Sequence, residues 1–371
     1  MKINFDHQIF TMQPYGGISR YYKILAQNFS KFNNDIYIFC GIYQNNYLID
    51  LPSGIVKGFK IKKNLPKTTL LLLYVNRIFS EIKMFFSKPD IIHETYYSSF
   101  KRYGSKPIRI TTAYDMIHEE FPNHFSSNDK TVKFKSRTFN EVDHIICISK
   151  NTKKDLIKYY HVDENKISVI YLGIDINFFN KPRFRIPILK LPYLLYVGRR
   201  DSYKNFNRFL EACSSSGIIK NNYKLVAFGG GKFTENELLI IKKFKFSDGC
   251  VIQMNGDDET LASLYSFASC FIYPSLYEGF GLSPLEAMAS GCPVAASNTS
   301  SIPEVIGDAG VLFNPSDFNS IRTSIESVLN KPLLSKKLVK LGHKRVEFFS
   351  WEKCAEETLM LYKKLLNERK K

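Results

Sequence analysis

The stretch "PSLYEGFGLSPLEAMASGCP", residues 274–293, decides how this chain of 371 residues folds. Its two carboxylates, Glu278 and Glu286, have seven residues between them, and glycines follow the first carboxylate. Ser283 followed by Pro284 predicts a helix start, because Ser is favoured as an N-cap and Pro at the first helical position. Glu286 then has the capping-box spacing from Ser283. The stretch predicts a strand end, a glycine loop and a helix N-terminus, which offer backbone N–H groups and a positive dipole end to an anion.

Strands and helices alternate on both sides of this stretch, which predicts an α/β fold with parallel sheets. The chain is too long for one ordinary domain. We predict two Rossmann-like, doubly wound domains facing a cleft, with ligands at the carboxyl ends of the strands. The expected boundaries are an N-terminal domain over 1–175, a proline-rich linker over 176–192, a C-terminal domain over 193–347, and a last helical segment over 348–371 that packs back toward the first domain.

The composition is that of a soluble globular protein, with 44% apolar and 23% charged residues. The longest apolar run, at 68–75, is too short to span a membrane. The first residues lack a signal-peptide pattern, so we expect a cytoplasmic location. The seven cysteines occur singly, which indicates buried, reduced thiols and neither disulfides nor a metal site.

The net charge of +17 indicates an anionic partner, which could be nucleic acid, a membrane or a phosphorylated ligand. The positive charge is densest between Lys57 and Lys88, where eight Lys or Arg residues accompany one acid, Glu81. From about Thr68 this segment predicts an amphipathic helix able to lie on a membrane surface. A core helix with a solvated basic face explains the same pattern, and the sequence leaves both interpretations open.

Two cations, Arg199 and Lys204, lie between the strand predicted at 193–198 and the next helix. Cations are unfavourable at a helix N-terminus, so their presence there makes sense if an anion lies between them and the helix. An Arg fork with a Lys point charge suits a diphosphate, although two exposed loop charges would look the same. The glycine runs at 229–231 and 16–17 would admit a ligand closely but are weak signals alone.

Together these pieces resemble the retaining, nucleotide-sugar-dependent glycosyltransferases of family 4, which have the GT-B fold. The resemblance is closest over 193–315 and weaker but continuous over 1–175. It is carried by "GGISR" (16–20), "YVGRRDSYKN" (196–205), "FGGG" (228–231) and "LASLYSFASCFIYPSLYEGFGLSPLEAMASGCPVAASNTSSIPEV" (261–305).

The resemblance implies a role for each charged residue of the donor site. Glu286 would bind the ribose hydroxyls of the nucleotide, and Glu278 would lie beside the donor sugar ring. Arg199 and Lys204 would bind the diphosphate. Gly17 would let the N-terminal loop close over the phosphates. The positions implied to approach the base, the sugar or the phosphates mainly through their backbone are Gly229, Gly230, Gln253, Met254, Phe280, Gly281 and Leu282.

The chain departs from the family pattern at one position. Many relatives carry a His immediately before the Asp of the segment that matches "TTAYDMIHEEFP", and here Tyr114 precedes Asp115. Tyr114 itself, His118 or His93 could take the place of that His. We expect Asp115 and His118 to lie near the acceptor, while a structural role for either His118 or His93 stays open.

The resemblance also implies a mechanism, in which the acceptor attacks from the face that the diphosphate leaves, with retention. Negative charge then builds on the leaving phosphate. The two cations and the helix N-terminus would stabilise it, so no metal and no further cofactor are expected beside the nucleotide diphosphate sugar. The chain accordingly lacks an Asp-x-Asp motif.

The implied function is transfer of a hexose, mannose or a similar sugar, to a glycan or lipid-diphosphate-linked acceptor in the synthesis of a cell-surface polysaccharide such as O-antigen. The basic segment suits peripheral contact with the anionic inner leaflet of the membrane. A nucleotide-sugar-binding protein without transfer activity is the alternative that the missing His raises. A nucleic-acid-binding protein fits less well, because the charge is dispersed and no binding motif is present.

Overall fold

The computed structural model describes residues 1–32, 34–62, 68–97, 107–181, 183–184, 186, 189, 191–200 and 202–369. The chain divides into two compact units. The first unit comprises Met1–Gly173 together with Trp351–Lys371, and the second comprises Ile174–Ser350. The boundaries between them therefore fall after Gly173 and after Ser350.

The first unit is built on a parallel sheet whose order is β3-β2-β1-β4-β5-β6-β7. Its strands are β1 (Lys2–Phe5), β2 (Asp35–Tyr43), β3 (Val56–Lys60), β4 (Ile91–Glu94), β5 (Ile108–Ala113), β6 (His144–Cys147) and β7 (Ile167–Val169). Ile3 at the centre pairs with Ile36 and Ile91 in its neighbours. The inner strands are buried on both faces, as parallel strands covered by helices must be.

The helices of this unit up to the boundary are α1 (Gln8–Met12), α2 (Gly17–Lys31), α3 (Thr69–Ser87), α4 (Ile117–Glu120), α5 (Thr131–Glu141) and α6 (Lys150–Tyr160). The start of α6 shows why the chain turns from strand to helix there. Ser149 is its N-cap, and the Ser149 hydroxyl accepts a hydrogen bond of 2.9 Å from the backbone N–H of Thr152.

The second unit has a parallel sheet of order β10-β9-β8-β11-β12-β13. Its strands are β8 (Tyr193–Val197), β9 (Lys224–Phe228), β10 (Val251–Met254), β11 (Cys270–Tyr273), β12 (Val294–Ser297) and β13 (Gly310–Phe313). Its helices are α7 (Ile176–Phe179), α8 (Phe206–Ser214), α9 (Gly217–Asn222), α10 (Glu235–Lys243), α11 (Asp258–Phe267), α12 (Leu282–Ala289), α13 (Ile302–Ile306), α14 (Phe318–Asn330) and α15 (Pro332–Val346). The direction of winding reverses between β8 and β11, which is where such folds bind ligands.

The last helix, α16 (Trp351–Arg369), belongs to the first unit. It packs against α2, with the ring of Trp351 6.4 Å from that of Tyr21. The Tyr362 hydroxyl lies 2.5 Å from His93 Nδ1 at the end of β4. Helix α16 therefore packs in the same core as α2 and β4.

The cysteines and the long helices bear on two further predictions. All seven cysteines are free and buried, as the sequence predicts. Among the helices that the structure describes, none is long and apolar enough to cross a membrane.

Candidate functional site

The candidate site in the second unit lies at the carboxyl ends of β8 and β11, the two strands between which the winding reverses. Arg199 and Lys204 lie in the loop after β8, and Glu278 lies in the loop after β11. Because these strands are parallel neighbours, both loops leave the same edge of the sheet. The topology thereby brings together charged residues that are far apart in sequence.

Lys204 and Glu278 form an ion pair at this edge. Lys204 Nζ lies 2.6 Å from Glu278 Oε1, and the two side chains are 19% and 10% exposed. Ser300 and Ser301 hold the Glu278 backbone: the Glu278 N–H donates to Ser300 Oγ at 2.9 Å, and Ser301 Oγ donates to the Glu278 carbonyl at 2.8 Å. Lys204 and Glu278, which the resemblance assigns to the diphosphate and to the sugar ring, thus contact each other.

Tyr273, the last residue of β11, lies next to this pair. Burial, followed by the neighbouring Glu278 carboxylate, raises the pKa of the Tyr273 hydroxyl well above its usual value. Lys204 Nζ lies 5.9 Å from the centre of the Tyr273 ring. The Lys204 ammonium therefore lies near an aromatic ring whose hydroxyl stays protonated. The surroundings are partly desolvated, so charge interactions are stronger there than in water.

Helix α12 begins two residues earlier than its sequence predicts, and the capping-box prediction is wrong. The N-cap is Gly281, with φ of 112°, and no side chain caps the helix. Ser283 and Pro284 are thus the second and third helical residues rather than the cap and the first. A left-handed residue is required at the turn from loop to helix, and only glycine adopts it without strain. The positive end of α12 consequently lacks a side-chain cap, beside the Lys204–Glu278 pair.

Glu286 lies in α12, half-buried, and contacts the neighbouring helix. Its carboxylate accepts a hydrogen bond of 3.3 Å from the hydroxyl of Tyr265 in α11. Burial, together with the nearby Glu286 charge, raises the pKa of Tyr265 well above its usual value. Glu286 is thus held by a residue of the neighbouring helix α11.

The glycine loop after β9 is held by Arg200, a residue that the sequence reasoning missed. Gly229, Gly230 and Gly231 all have positive φ, at 87°, 72° and 76°. The buried Arg200 guanidinium donates to the Gly229 carbonyl at 2.7 Å and to the Gly231 carbonyl at 3.0 Å. Its Nε donates to Glu237 Oε1 at 2.6 Å. The signal in the sequence was the doublet Arg199–Arg200, of which one member is exposed and the other buried.

The neighbouring strand ends complete this edge of the sheet. The Gly229 N–H donates to the Met254 carbonyl at 2.9 Å, and the Gln253 side-chain amide donates to the same carbonyl at 2.9 Å. Phe280 is buried beside Gly281, and its carbonyl accepts a hydrogen bond of 2.8 Å from Ser301 Oγ. Leu282, the first residue of α12, is half-buried.

A second charged cluster follows β5 in the first unit, and it contains Asp115 and a lysine that the sequence reasoning missed. Lys135 of α5 is 1% exposed. Its Nζ donates to the Asp115 carbonyl at 2.8 Å and to Glu119 Oε2 at 3.0 Å, and lies 3.6 Å from Asp115 Oδ1. Tyr160 also hydrogen-bonds to Glu119. A buried lysine with such partners fixes the position of Asp115.

His118 lies at the edge of this cluster. Its ring stacks on Phe125 with centroids 3.8 Å apart, and its Nε2 lies 3.5 Å from Asp129 Oδ2. Burial and, to a smaller extent, the Lys135 charge lower the pKa of His118. His118 is thus a neutral imidazole at pH 7.

The other two candidates for the missing His are core residues. His93 is fully buried, with Nε2 2.8 Å from the Thr112 hydroxyl and Nδ1 bonded to Tyr362. Burial lowers the pKa of His93 to about 3. Tyr114 is buried, with its ring edge-on to Tyr21 at 6.2 Å. His93 therefore has a structural role in the core, and whether Tyr114 or His118 takes the place of the missing His stays a prediction.

Gly17 lies in the first unit as the first residue of α2. Its preceding residue, Gly16, is the N-cap, and no side chain caps this helix either. A Cβ atom placed on Gly17 would meet no atom within 4 Å. The space at Gly17 is thus open, and its role at a phosphate stays a prediction.

In the described part of the chain, no group of three or more His, Cys, Asp or Glu side chains is placed to hold a metal ion.

Family models match nearly the whole chain in two consecutive parts. The model for Glycosyltransferase Family 4 matches residues 15–178. The model for Glycosyl transferases group 1 matches residues 179–345.

Individual proteins are similar as well. O-antigen chain mannosyltransferase B of Escherichia coli is 30% identical over 230 residues, so that the match spans 60% of this chain and 60% of that protein. Sucrose-phosphate synthase from Thermosynechococcus elongatus has a similar structure, with a TM-score of 0.77 at 19% identity over 99% of this chain and 100% of the other. The structure of the Anabaena protein HepE in complex with UDP-glucose has a TM-score of 0.73 at 16% identity, over 97% of this chain and 99% of the other. These structures show the GT-B fold.

Proposed function

Since the chain belongs to the family 4, or group 1, glycosyltransferases, we propose that it transfers a hexose, mannose or a similar sugar, from a nucleoside diphosphate sugar to a glycan or lipid-linked acceptor. The observation that carries this proposal is the Lys204–Glu278 pair beside the uncapped start of α12. A cation and a helix N-terminus suit a diphosphate, and a carboxylate suits the hydroxyls of a sugar. Both lie at the edge where such sheets bind ligands.

In the proposed mechanism, the bond between the anomeric carbon and the diphosphate oxygen breaks while the acceptor oxygen forms a bond on the same face. The acceptor's proton passes to the departing phosphate oxygen. Lys204 exchanges Glu278 for the diphosphate when the donor binds, and Arg199 contributes a second cation. In many enzymes, preorganised groups that stabilise charge on a leaving group contribute more to the rate than any other effect.

We assign the remaining donor contacts from the family resemblance. Glu286 binds the ribose, and the backbone of Phe280 to Leu282 contacts the sugar and the phosphates. The strand end at Met254 lies beside the base, and the loop at Gly229 and Gly230 approaches the ligand closely.

We assign the acceptor to the first unit, through Asp115 and His118. The neutral His118 imidazole can accept a hydrogen bond from a hydroxyl, and Lys135 holds the Asp115 backbone in place. In the first unit, we assign Gly17 to the approach of a phosphate, because the space at Gly17 is open.

We propose that the reaction requires neither a metal nor a cofactor besides the donor, because Arg199, Lys204 and the start of α12 supply the positive charge that a divalent cation would supply. Turnover measured with EDTA should equal turnover measured with Mg²⁺. A loss of activity with EDTA that Mg²⁺ or Mn²⁺ restores would contradict this.

The mannose assignment rests on the similarity to an O-antigen mannosyltransferase. With it we propose a role in cell-surface polysaccharide synthesis, in the cytoplasm at the inner membrane leaflet. Thermal unfolding with a panel of GDP-mannose, UDP-glucose, UDP-galactose and UDP-N-acetylglucosamine tests the mannose assignment. A donor at 100 times its Kd stabilises the folded state by about 2.7 kcal/mol. We expect GDP-mannose to raise the melting temperature most; a larger shift with a UDP-sugar would reassign the donor, and no shift with any sugar nucleotide would contradict a donor site.

The burial of Tyr114, where the family pattern has a His, favours one second candidate, a protein that binds the sugar nucleotide without transferring the sugar. It predicts a thermal shift with the donor and no release of nucleoside diphosphate in the presence of lipid-linked or glycan acceptors. Transfer to any such acceptor rules it out.

A further inference from the structure

Helix α3 in the first unit exposes most of its large apolar side chains and buries two polar ones, Asn76 and Ser80, together with Met84. Leu70, Phe85 and Phe86 are 80%, 76% and 75% exposed. The other large apolar side chains exposed along the helix are Leu71, Tyr74, Val75, Ile78 and Ile82. Their spacing of three and four residues puts them along one side. Such a continuous exposed apolar patch marks a surface for a partner or a membrane.

The opposite side of α3 is fixed to the sheet by Asn76. The buried Asn76 carboxamide accepts from the Ile42 N–H at 2.7 Å, donates to the Ile42 carbonyl at 2.6 Å and donates to Thr11 Oγ1 at 2.9 Å. Ser80, one turn later, is also buried. Gly41 makes room for this contact, since a Cβ there would lie 2.3 Å from Asn76 Oδ1. These bonds set the rotation of α3, which leaves the apolar side outward.

The interpretation of this segment as a core helix with a solvated basic face is therefore wrong. The solvated face of α3 is apolar, and the basic residues flank it. Lys60, Lys62, Lys83 and Lys88 are exposed. The acid within α3, Glu81, is paired with Arg77 at 2.8 Å. Lys63 and Lys67 lie outside the described residues.

We propose that the outward side of α3 inserts into the surface of an anionic phospholipid bilayer. The charges decide between the possible occupants: a second copy would bring an equally basic rim against the first, whereas anionic headgroups attract both the rim and the net charge of +17. The helix is not long and apolar enough to cross the bilayer, so it lies along the interface. This membrane surface rests on the proposed function in one respect: the enzyme would bind the membrane in order to reach a lipid-linked acceptor.

Co-sedimentation with vesicles tests the proposal without donor or acceptor. We expect the full chain to bind vesicles of phosphatidylglycerol and phosphatidylethanolamine, and to bind phosphatidylcholine vesicles at least tenfold more weakly. The double variant Ile78→Gln, Phe85→Gln should bind anionic vesicles at least tenfold more weakly than the natural protein, because it removes apolar insertion and keeps every charge. The matched control is Leu239→Gln with Leu333→Gln, two exposed leucines of the second unit, and its binding should be unchanged.

The basic rim has a separate variant. Replacing the four exposed lysines of the rim, Lys60, Lys62, Lys83 and Lys88, by Gln should weaken binding to anionic vesicles and reduce its sensitivity to salt. Unchanged sedimentation in both α3 and rim variants overturns the proposal. A concentration-dependent dimer in light scattering that Ile78→Gln, Phe85→Gln abolishes, with no vesicle binding, also overturns it, in favour of a second copy.

Separate measurements test the membrane surface and the proposed function. The thermal shift with a sugar nucleotide depends on the second unit and should be the same in the α3 double variant. Vesicle binding with no donor shift would contradict the donor site and leave the membrane surface standing. A thermal shift with the donor but no vesicle binding would contradict the membrane surface and leave the donor site standing.

Discussion

Lys204 is the residue on which the proposed chemistry depends most. Its ammonium lies 2.6 Å from the Glu278 carboxylate, so a bound diphosphate must compete with that carboxylate for the same cation. A partly buried ion pair is a poor stabiliser of a fold. By our proposal, the two residues are ligand-binding groups that neutralise each other until the donor binds.

Replacing Lys204 by Ala should lower turnover by about 10²–10³-fold, the loss seen when one preorganised charge-stabilising group is removed. Initial rates with saturating donor measure this. Lys243→Ala, on the exposed side of α10, is the control. Turnover within a factor of two of the natural enzyme would contradict the assignment of Lys204 to the diphosphate.

Glu286 should contribute to donor binding more than to the chemical step. Glu286→Ala removes hydrogen bonds to a charged group worth about 1.5–3 kcal/mol, so calorimetry with the nucleoside diphosphate should show roughly 10–100-fold weaker binding. Tyr265→Phe removes only the partner hydroxyl of Glu286 and should weaken binding less. Equal affinities of Glu286→Ala and the natural protein would place the nucleotide elsewhere.

At the scale of elements, the loop after β9 and the loop after β8 depend on each other through Arg200. One guanidinium binds the carbonyls of Gly229 and Gly231 and the carboxylate of Glu237. Arg199, its neighbour, is exposed. Adjacent arginines therefore have separate tasks, one in the structure of the loops and one, by our proposal, at the ligand.

The two arginines should give opposite results on mutation. Arg200→Ala should reduce the free energy of unfolding by about 3 kcal/mol or more, because it leaves buried carbonyls and Glu237 without their partner. Arg199→Ala should leave stability within about 0.5 kcal/mol, as surface substitutions do, and lower turnover. Urea unfolding and initial rates of both variants measure this, and a stability loss in Arg199→Ala equal to that in Arg200→Ala would refute the division of tasks.

At the scale of the whole molecule, α16 joins the first and last parts of the chain. His93 contacts both Thr112 in β5 and Tyr362 in α16, while Phe5, Tyr21 and Tyr22 surround its ring. The charged group that acts on it is Asp6, which opposes the effect of burial. Protonation of His93 thus requires the core around α16 to open.

The pH dependence of stability follows from the direction in which burial moves the pKa of His93. The folded-state pKa of His93 is about 3 and the unfolded value is about 6.5, so the unfolded state binds more protons between them and stability falls as pH drops through that window. The natural protein should melt at a lower temperature at pH 5 than at pH 7. His93→Gln should show a smaller difference, and His124→Gln, at an exposed site, an unchanged one. The same difference in His93→Gln and the natural protein would mean that other groups cause the pH dependence.

Local sequence patterns were sufficient to predict two α/β regions, the glycine loop before α12, and the cations after β8. They also located the α3 segment, because apolar residues and lysines recur there within a few residues. Which face of α3 is outward depends on the folded chain, since the bonds of Asn76 to Ile42 and Thr11 join residues that are 34 and 65 positions apart. The tertiary structure likewise decided that Gly281 rather than Ser283 begins α12, that His93 is a core residue, and that Lys204 contacts Glu278 across 74 positions. The physical reason is common to these cases. The partner of a side chain depends on which strands and helices lie side by side, and the spacing of residues along the chain does not indicate that.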